Sequence, residues 1–280
     1  MNDTITIGSD LTVRRMGFGA MRVTGEGIWG PPPDRNAAVA LLRRAVELGI
    51  DFIDTADSYG PNVSEEIIGE ALAPYGDGVV IATKGGLERD GPGIWRANCR
   101  PEHLRKALEG SLRRLDVERI DLHQLHTIDR DVPLEESLGE LSGLQREGKI
   151  RHIGVSNFSA EELKRARKAV DVVSVQNRYN LSYRASDDIV DACEEAGIAF
   201  LPWHPLAAAD LLESAALQEV AADHDATVAQ VCLAWLLHRS PVIIPIPGTS
   251  SIAHLEENTA AREVELTSQD LQRIEDAAAS

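Results

Sequence analysis

The feature that most constrains this chain is an eightfold alternation: short apolar runs rich in β-branched residues, each followed by a segment with helical spacing. The runs predict strands at 16–19, 51–54, 79–83, 120–125, 150–155, 172–175, 198–201 and 242–246. The intervening spacing predicts helices at 36–48, 64–73, 101–115, 133–147, 160–170, 185–196, 228–237 and 252–260. Several runs, VVIAT and VIIPI among them, are continuously apolar, as strands covered on both faces are. Such alternation builds a parallel sheet with right-handed crossovers. Eight units within 280 residues favour an α/β fold of the closed (β/α)8 TIM-barrel kind over an open doubly wound sheet. No GxGxxG opens the first helix, which counts further against the open form.

Local signals agree with this frame. Ser64 and Ser159 stand at or just before helix openings with glutamates in the first turn, and Gly49 and Gly197 stand where helices end. The segment 4–13, TITIGSDLTV, alternates about a Gly-Ser-Asp turn and predicts an N-terminal β-hairpin. Residues 268–278, with Ser268 as N-cap, predict a C-terminal helix. No linker or low-complexity stretch interrupts the pattern, so a single domain over 1–280 is expected.

Composition narrows the function classes. With 43% hydrophobic and 26% charged residues the chain can bury a large core, which excludes disorder as its main state. Acidic residues outnumber Lys and Arg by 45 to 28, and the resulting charge of −17 argues against nucleic acid or an anionic membrane as partner. Cys99, Cys193 and Cys232 are widely spaced and form no CxxC pair, so buried reduced thiols are expected and no metal site. The opening MNDTITIGSD carries no export signal, and no run approaches about 18 apolar residues. The expectation is a cytoplasmic protein, monomeric or weakly homo-oligomeric, that acts on a small molecule.

In a barrel of this kind the chemistry sits where the strands end. DTADSYG puts Asp54 at the end of the second strand and Tyr59 in the loop beyond it. TKGG puts Lys84 at the end of the third, and DLHQLHT puts His126 after the fourth with His123 inside it. Each has an ordinary structural reading: an Asp there can cap a helix, and a single His is commonly buried and satisfied. The lysine is harder to set aside, because a buried ammonium needs a counter-ion. Together the four suit protonation of an oxygen that acquires negative charge, with Asp54 pairing Lys84 and the cation lowering the Tyr59 pKa. A strand-end lysine could instead form a Schiff base, as in class I aldolases.

The spaced set DTADSYG, TKGG, DLHQLH and GVSNF resembles the aldo-keto reductases, and the likeness runs through essentially the whole chain. The resemblance implies a carbonyl reductase that uses a nicotinamide cofactor extended across the barrel mouth. It implies Tyr59 as general acid, Lys84 and Asp54 as the groups that tune it, and His126 as the group that positions the substrate carbonyl. It places Ser156, Asn157 and Gln176 at the nicotinamide carboxamide and Trp203 against its ring. Leu206 and Ala207 lead into the pyrophosphate loop, and Gly19, Ala20 and Met21 lie near the ribose. IPIPGTSSIAHLEEN matches the segment that holds the adenosine end: Glu257 and Asn258 fall at adenine positions, and Thr249, Ser250 and Ser251 offer an anion site. Gly248 and His254 stand where many members carry Lys and Arg, so NADPH is expected with NADH not excluded. Trp29 and Trp95, in the first and third loops, are expected to wall the pocket for an aldehyde. GFGAMRVTGEGIWGPPPDR is similar to a bacterial subgroup that includes pyridoxal reductases, which implies reduction of pyridoxal to pyridoxine. A broad aldehyde reductase and a non-catalytic NADPH-binding subunit are the alternatives.

Overall fold

The computed structural model describes residues 3–206 and 213–279. The sheet strands are β3 (Phe18–Gly19), β4 (Phe52–Asp54), β5 (Val80–Gly85), β8 (Ile120–Leu125), β9 (Ile150–Ser156), β10 (Val172–Gln176) and β11 (Ala199–Phe200). They form one parallel sheet in the order β11-β10-β9-β8-β5-β4-β3. Two antiparallel hairpins stand apart from it: β1 (Thr4–Ile7) with β2 (Leu11–Arg14), and β6 (Leu87–Gly91) with β7 (Ile94–Ala97). The second hairpin sits in the third loop and was not expected.

The eighth expected strand, 242–246, does not form a ladder and makes only an isolated bridge, Ile243 to Phe200. Its neighbours explain why: Pro245 and Pro247 have no N–H to give to a ladder. The segment nevertheless joins the two sheet edges. The Phe200 N–H donates to Val242 O and the Ile244 N–H to Phe200 O, both at 2.9 Å. On the other side Gly17 and Gly19 donate to the carbonyls of Pro245 and Pro247 at 2.9 and 3.4 Å. At this seam a Cβ on Gly19 would stand 2.7 Å from Ile246 O, and one on Gly248 would stand 2.6 Å from Gly19 O. Only glycine lets the two backbones meet so closely.

Inside the barrel Phe52, Val80, Ala82, Leu122, Val173, Ala199, Leu201, Ile244 and Ile246 pack with Ile7, Leu11 and Val13 of the first hairpin. The Arg14 N–H donates to Asp51 just before β4, so that hairpin plugs the end where the strands begin. The opposite end stays open. A larger apolar cluster, including Leu104, Leu108, Leu138, Leu141, Val190 and Trp235, fastens the helices to the outer face.

Helix ends follow the cap chemistry, with two corrections. Asp34 caps Arg35–Glu47, and Ser159 and Thr227 form capping boxes for Ala160–Ala166 and Val228–Arg239. Ser64 is not a cap: it lies inside helix Val63–Leu72, and its buried hydroxyl donates to Ala20 O at 2.8 Å. Thr267 rather than Ser268 caps Ser268–Ala279, accepting the Asp270 N–H at 3.2 Å while Asp270 accepts the Thr267 N–H at 2.9 Å. Helix Ala215–Asp223 was also unexpected, its sequence being too short and alanine-rich to show a clear apolar face. Among the described residues no helix is long and apolar enough to cross a membrane, and no group of three or more His, Cys, Asp or Glu could hold a metal.

Candidate active site

The strand ends converge on a cavity of about 480 Å³ at the open end of the barrel. Its floor is a buried ion pair. Lys84 is fully buried, and its Nζ donates to Asp54 Oδ2 at 2.7 Å, to Thr55 O at 2.7 Å and to the Tyr59 hydroxyl at 3.4 Å. Asp54 Oδ1 accepts from Gln176 Nε2 at 2.7 Å and from Gln124 Nε2 at 3.3 Å. Both carboxylate oxygens are thus occupied, which a buried charge requires.

These neighbours set the proton affinities. Burial alone would lower the Lys84 pKa, but Asp54 and Tyr59 more than offset it, so the ammonium is held above its ordinary value. Burial pushes the Tyr59 phenol up, and Lys84 pulls it only part of the way back. The expected net lowering of Tyr59 is therefore not what the site produces: desolvation outweighs the cation. Burial, then Lys84, then His123 hold the His126 imidazole well below its usual range, so it is neutral at pH 7. A Schiff base on Lys84 fits poorly, since the amine is charged, fully buried and turned to Asp54 rather than to the cavity.

Around Tyr59 the rings stand edge to face, with centroids 5.9 Å from His126 and 6.4 Å from Trp95, and Trp95 is 6.4 Å from His126. Ser58 Oγ lies 3.4 Å from His126 Nδ1. Across the cavity Asn157 adopts a left-handed backbone with φ +61°, which asparagine tolerates. That turn lets its Nδ2 donate to His126 O at 3.0 Å while its Oδ1 accepts the Trp203 indole N–H at 3.0 Å. Ser156, Gln176, Leu206, Gly19, Met21 and Gly248 share the wall.

Other expected residues fall elsewhere. Ala20 is buried behind the wall, its carbonyl held by Ser64. Trp29 does not line the cavity; it lies against the Arg89 guanidinium, 5.7 Å from its ring centroid. Thr249, Ser250 and His254 stand beyond the cavity at the opening of helix Ile252–Ala260, where Ser251 Oγ accepts the His254 N–H at 3.4 Å. The Glu257 carboxylate accepts from Thr227 Oγ at 2.6 Å, and Asn258 is buried in the same helix. Ala207 lies outside the described residues.

Eight wall or floor residues were not among the expected ones: Arg22, Ile28, Leu87, His204, Pro205, Ile246, Pro247 and Gln124. Gln124 carried a signal, as a polar amide next to His123 inside the strand run IDLHQL. Apart from Ile246, in the expected strand 242–246, the rest lie in segments beyond the strand ends, where spacing says nothing about what faces a cavity.

The comparisons bear on this geometry. The aldo/keto reductase family model matches residues 15–279. An uncharacterized oxidoreductase of Schizosaccharomyces pombe is 48% identical over 98% of this chain and 89% of its own length. Pyridoxine 4-dehydrogenase of Escherichia coli is 42% identical over 98% of each chain. An aldo/keto reductase of Klebsiella pneumoniae, solved in complex with NADP and acetate, superposes with a TM-score of 0.85 at 27% identity, covering 99% of this chain and 95% of that one. With the family model spanning the barrel and relatives of this identity along nearly its whole length, the chain belongs to the aldo/keto reductase family.

Proposed function

We propose that this protein is a single-domain, NADPH-dependent carbonyl reductase that converts an aldehyde to its alcohol, with pyridoxal as the leading substrate and pyridoxine as its product. The observation that carries the reading is the buried line from Asp54 through Lys84 to the Tyr59 hydroxyl, ending at a cavity beside a neutral His126.

The wall fits a nicotinamide nucleotide. Asp54 holds the NH2 of Gln176, which leaves the Gln176 carbonyl to accept from a carboxamide. Asn157 fixes the Trp203 indole as a face for a flat ring, and the Arg22 guanidinium at the rim suits a pyrophosphate. Thr249, Ser250, Ser251 and His254, at the start of helix Ile252–Ala260, suit the 2′-phosphate. When bound, the reduced nicotinamide supplies the hydride. Tyr59 then gives its phenolic proton to the carbonyl oxygen as negative charge develops there, and Lys84 stabilises the phenolate left behind. Neutral His126 offers an N–H to the same oxygen without adding a competing charge. Support for pyridoxal comes from the pyridoxine 4-dehydrogenase relative.

Steady-state oxidation of NADPH and NADH with pyridoxal, benzaldehyde and propanal tests the proposal. Turnover of pyridoxal with NADPH at low micromolar KM is expected. Turnover of benzaldehyde alone would remove the vitamin assignment, and no turnover of any aldehyde with either nucleotide would overturn the reductase itself.

A further inference from the structure

Arg89 belongs to none of the groups assigned above, yet it joins three of the loops that build the substrate wall. It is buried in the β6–β7 hairpin. Its guanidinium spends its donors on backbone carbonyls: Nε to Ile94 at 3.1 Å, Nη1 to Ile28 at 2.9 Å and Ser58 at 3.3 Å, Nη2 to Gly27 at 3.0 Å and Gly91 at 3.4 Å. Among the described residues no carboxylate pairs with it. Those carbonyls come from the first loop, the second loop and the hairpin itself.

The chain bends to meet this cation. Gly27 and Ile28 both have left-handed backbones, φ +66° and +57°, and for a β-branched residue that conformation is strained. The strain lies where two carbonyls reach Arg89, and Ile28 is itself part of the cavity wall. Across the hairpin Arg89 pairs with Trp95, with the guanidinium carbon 3.7 Å from the ring centroid. Trp95 is 38% exposed, and its strand neighbours Ile94 and Arg96 are exposed too, so burial does not hold the ring in place. The Arg89 guanidinium covers a face of the ring, while Tyr59 and His126 meet it in edge-to-face contacts.

We infer that Arg89 is a positioning residue that sets the Trp95 ring over the reacting carbonyl, and so gives the enzyme a preference for planar, ring-bearing aldehydes over small aliphatic ones. This rests on the reductase reading above. Lysine cannot replace the fork, since one ammonium cannot reach five carbonyls while lying flat on an indole.

The test combines Arg89→Lys, Arg89→Met, Trp95→Ala and the Arg89→Met/Trp95→Ala double variant, with thermal unfolding and NADPH titration as fold controls. The ratio of kcat/KM for benzaldehyde to that for propanal falls about tenfold in each single variant, mostly through the benzaldehyde KM, and the double variant falls no further. Tryptophan emission shifts to the red in Arg89→Lys, and the shift vanishes in a Trp95→Phe background. Multiplying losses, an unchanged ratio, or an emission shift that persists without Trp95 would each overturn the inference. If the wild type reduces no carbonyl, the reductase reading fails, while the emission shift still decides whether Arg89 holds Trp95: its absence overturns the positioning role.

Discussion

Gln176 and Lys84 grip opposite oxygens of one carboxylate: Gln176 Nε2 donates to Asp54 Oδ1 and Lys84 Nζ to Asp54 Oδ2, each at 2.7 Å. Asp54 therefore couples the group proposed to receive a carboxamide to the group proposed to steady a phenolate. One buried charge orients both, and its loss should be felt at both.

Tyr59→Phe removes the proposed proton donor and keeps the ring against His126. The expected outcome is a fall in kcat of about 10²–10⁴, the usual share of a positioned general acid, with NADPH affinity unchanged within about twofold. Titration of cofactor fluorescence alongside turnover checks both parts, and near-normal turnover would remove Tyr59 from the role.

Lys84→Met leaves Asp54 buried beside amide donors but without its cation. Uncompensated burial of a charge costs on the order of 3–5 kcal/mol, so urea unfolding should show a large loss. The Asp54→Asn/Lys84→Met pair should recover part of that stability and none of the activity. Equal stability of the single and double variants would show that the pair does not hold this floor together.

Among the described residues neither ring nitrogen of buried His123 finds a hydrogen-bond partner, and burial followed by Lys84 pushes its pKa down to about 4. Unfolding exposes it to ordinary protonation, so between the usual imidazole value and about 4 the unfolded chain takes up the extra proton. Stability is thus complete at neutral pH and falls as pH drops through that window, by up to roughly 1.4 kcal/mol per pH unit from this one group. His123→Leu should flatten that part of the stability profile measured by urea unfolding from pH 7.5 to 4.5. Parallel profiles would assign the acid sensitivity to other groups.

His254 is exposed at the opening of helix Ile252–Ala260, beside Ser251. His254→Ala should weaken NADPH by about threefold to fivefold, as an exposed charged contact does, and leave NADH nearly unaffected. Equal weakening of both nucleotides would take His254 away from the 2′-phosphate.

What the sequence determined by itself was set by local chemistry. Continuous apolar runs and helical spacing impose a parallel sheet with covering helices, and strand-end position brings Asp54, Lys84, His126, Ser156 and Gln176 to one rim whatever the loops do. Asp34, Ser159 and Thr227 cap helices because their side chains reach only their own first turn. Tertiary structure decided whatever depends on partners far along the chain. It made 242–247 a proline-limited seam, turned Ser64 inward to Ala20, raised rather than lowered the Tyr59 pKa, and moved Trp29 out of the pocket onto Arg89. Desolvation, loop contacts and the reach of one guanidinium across three loops depend on distances between segments, and no window of neighbouring residues encodes them.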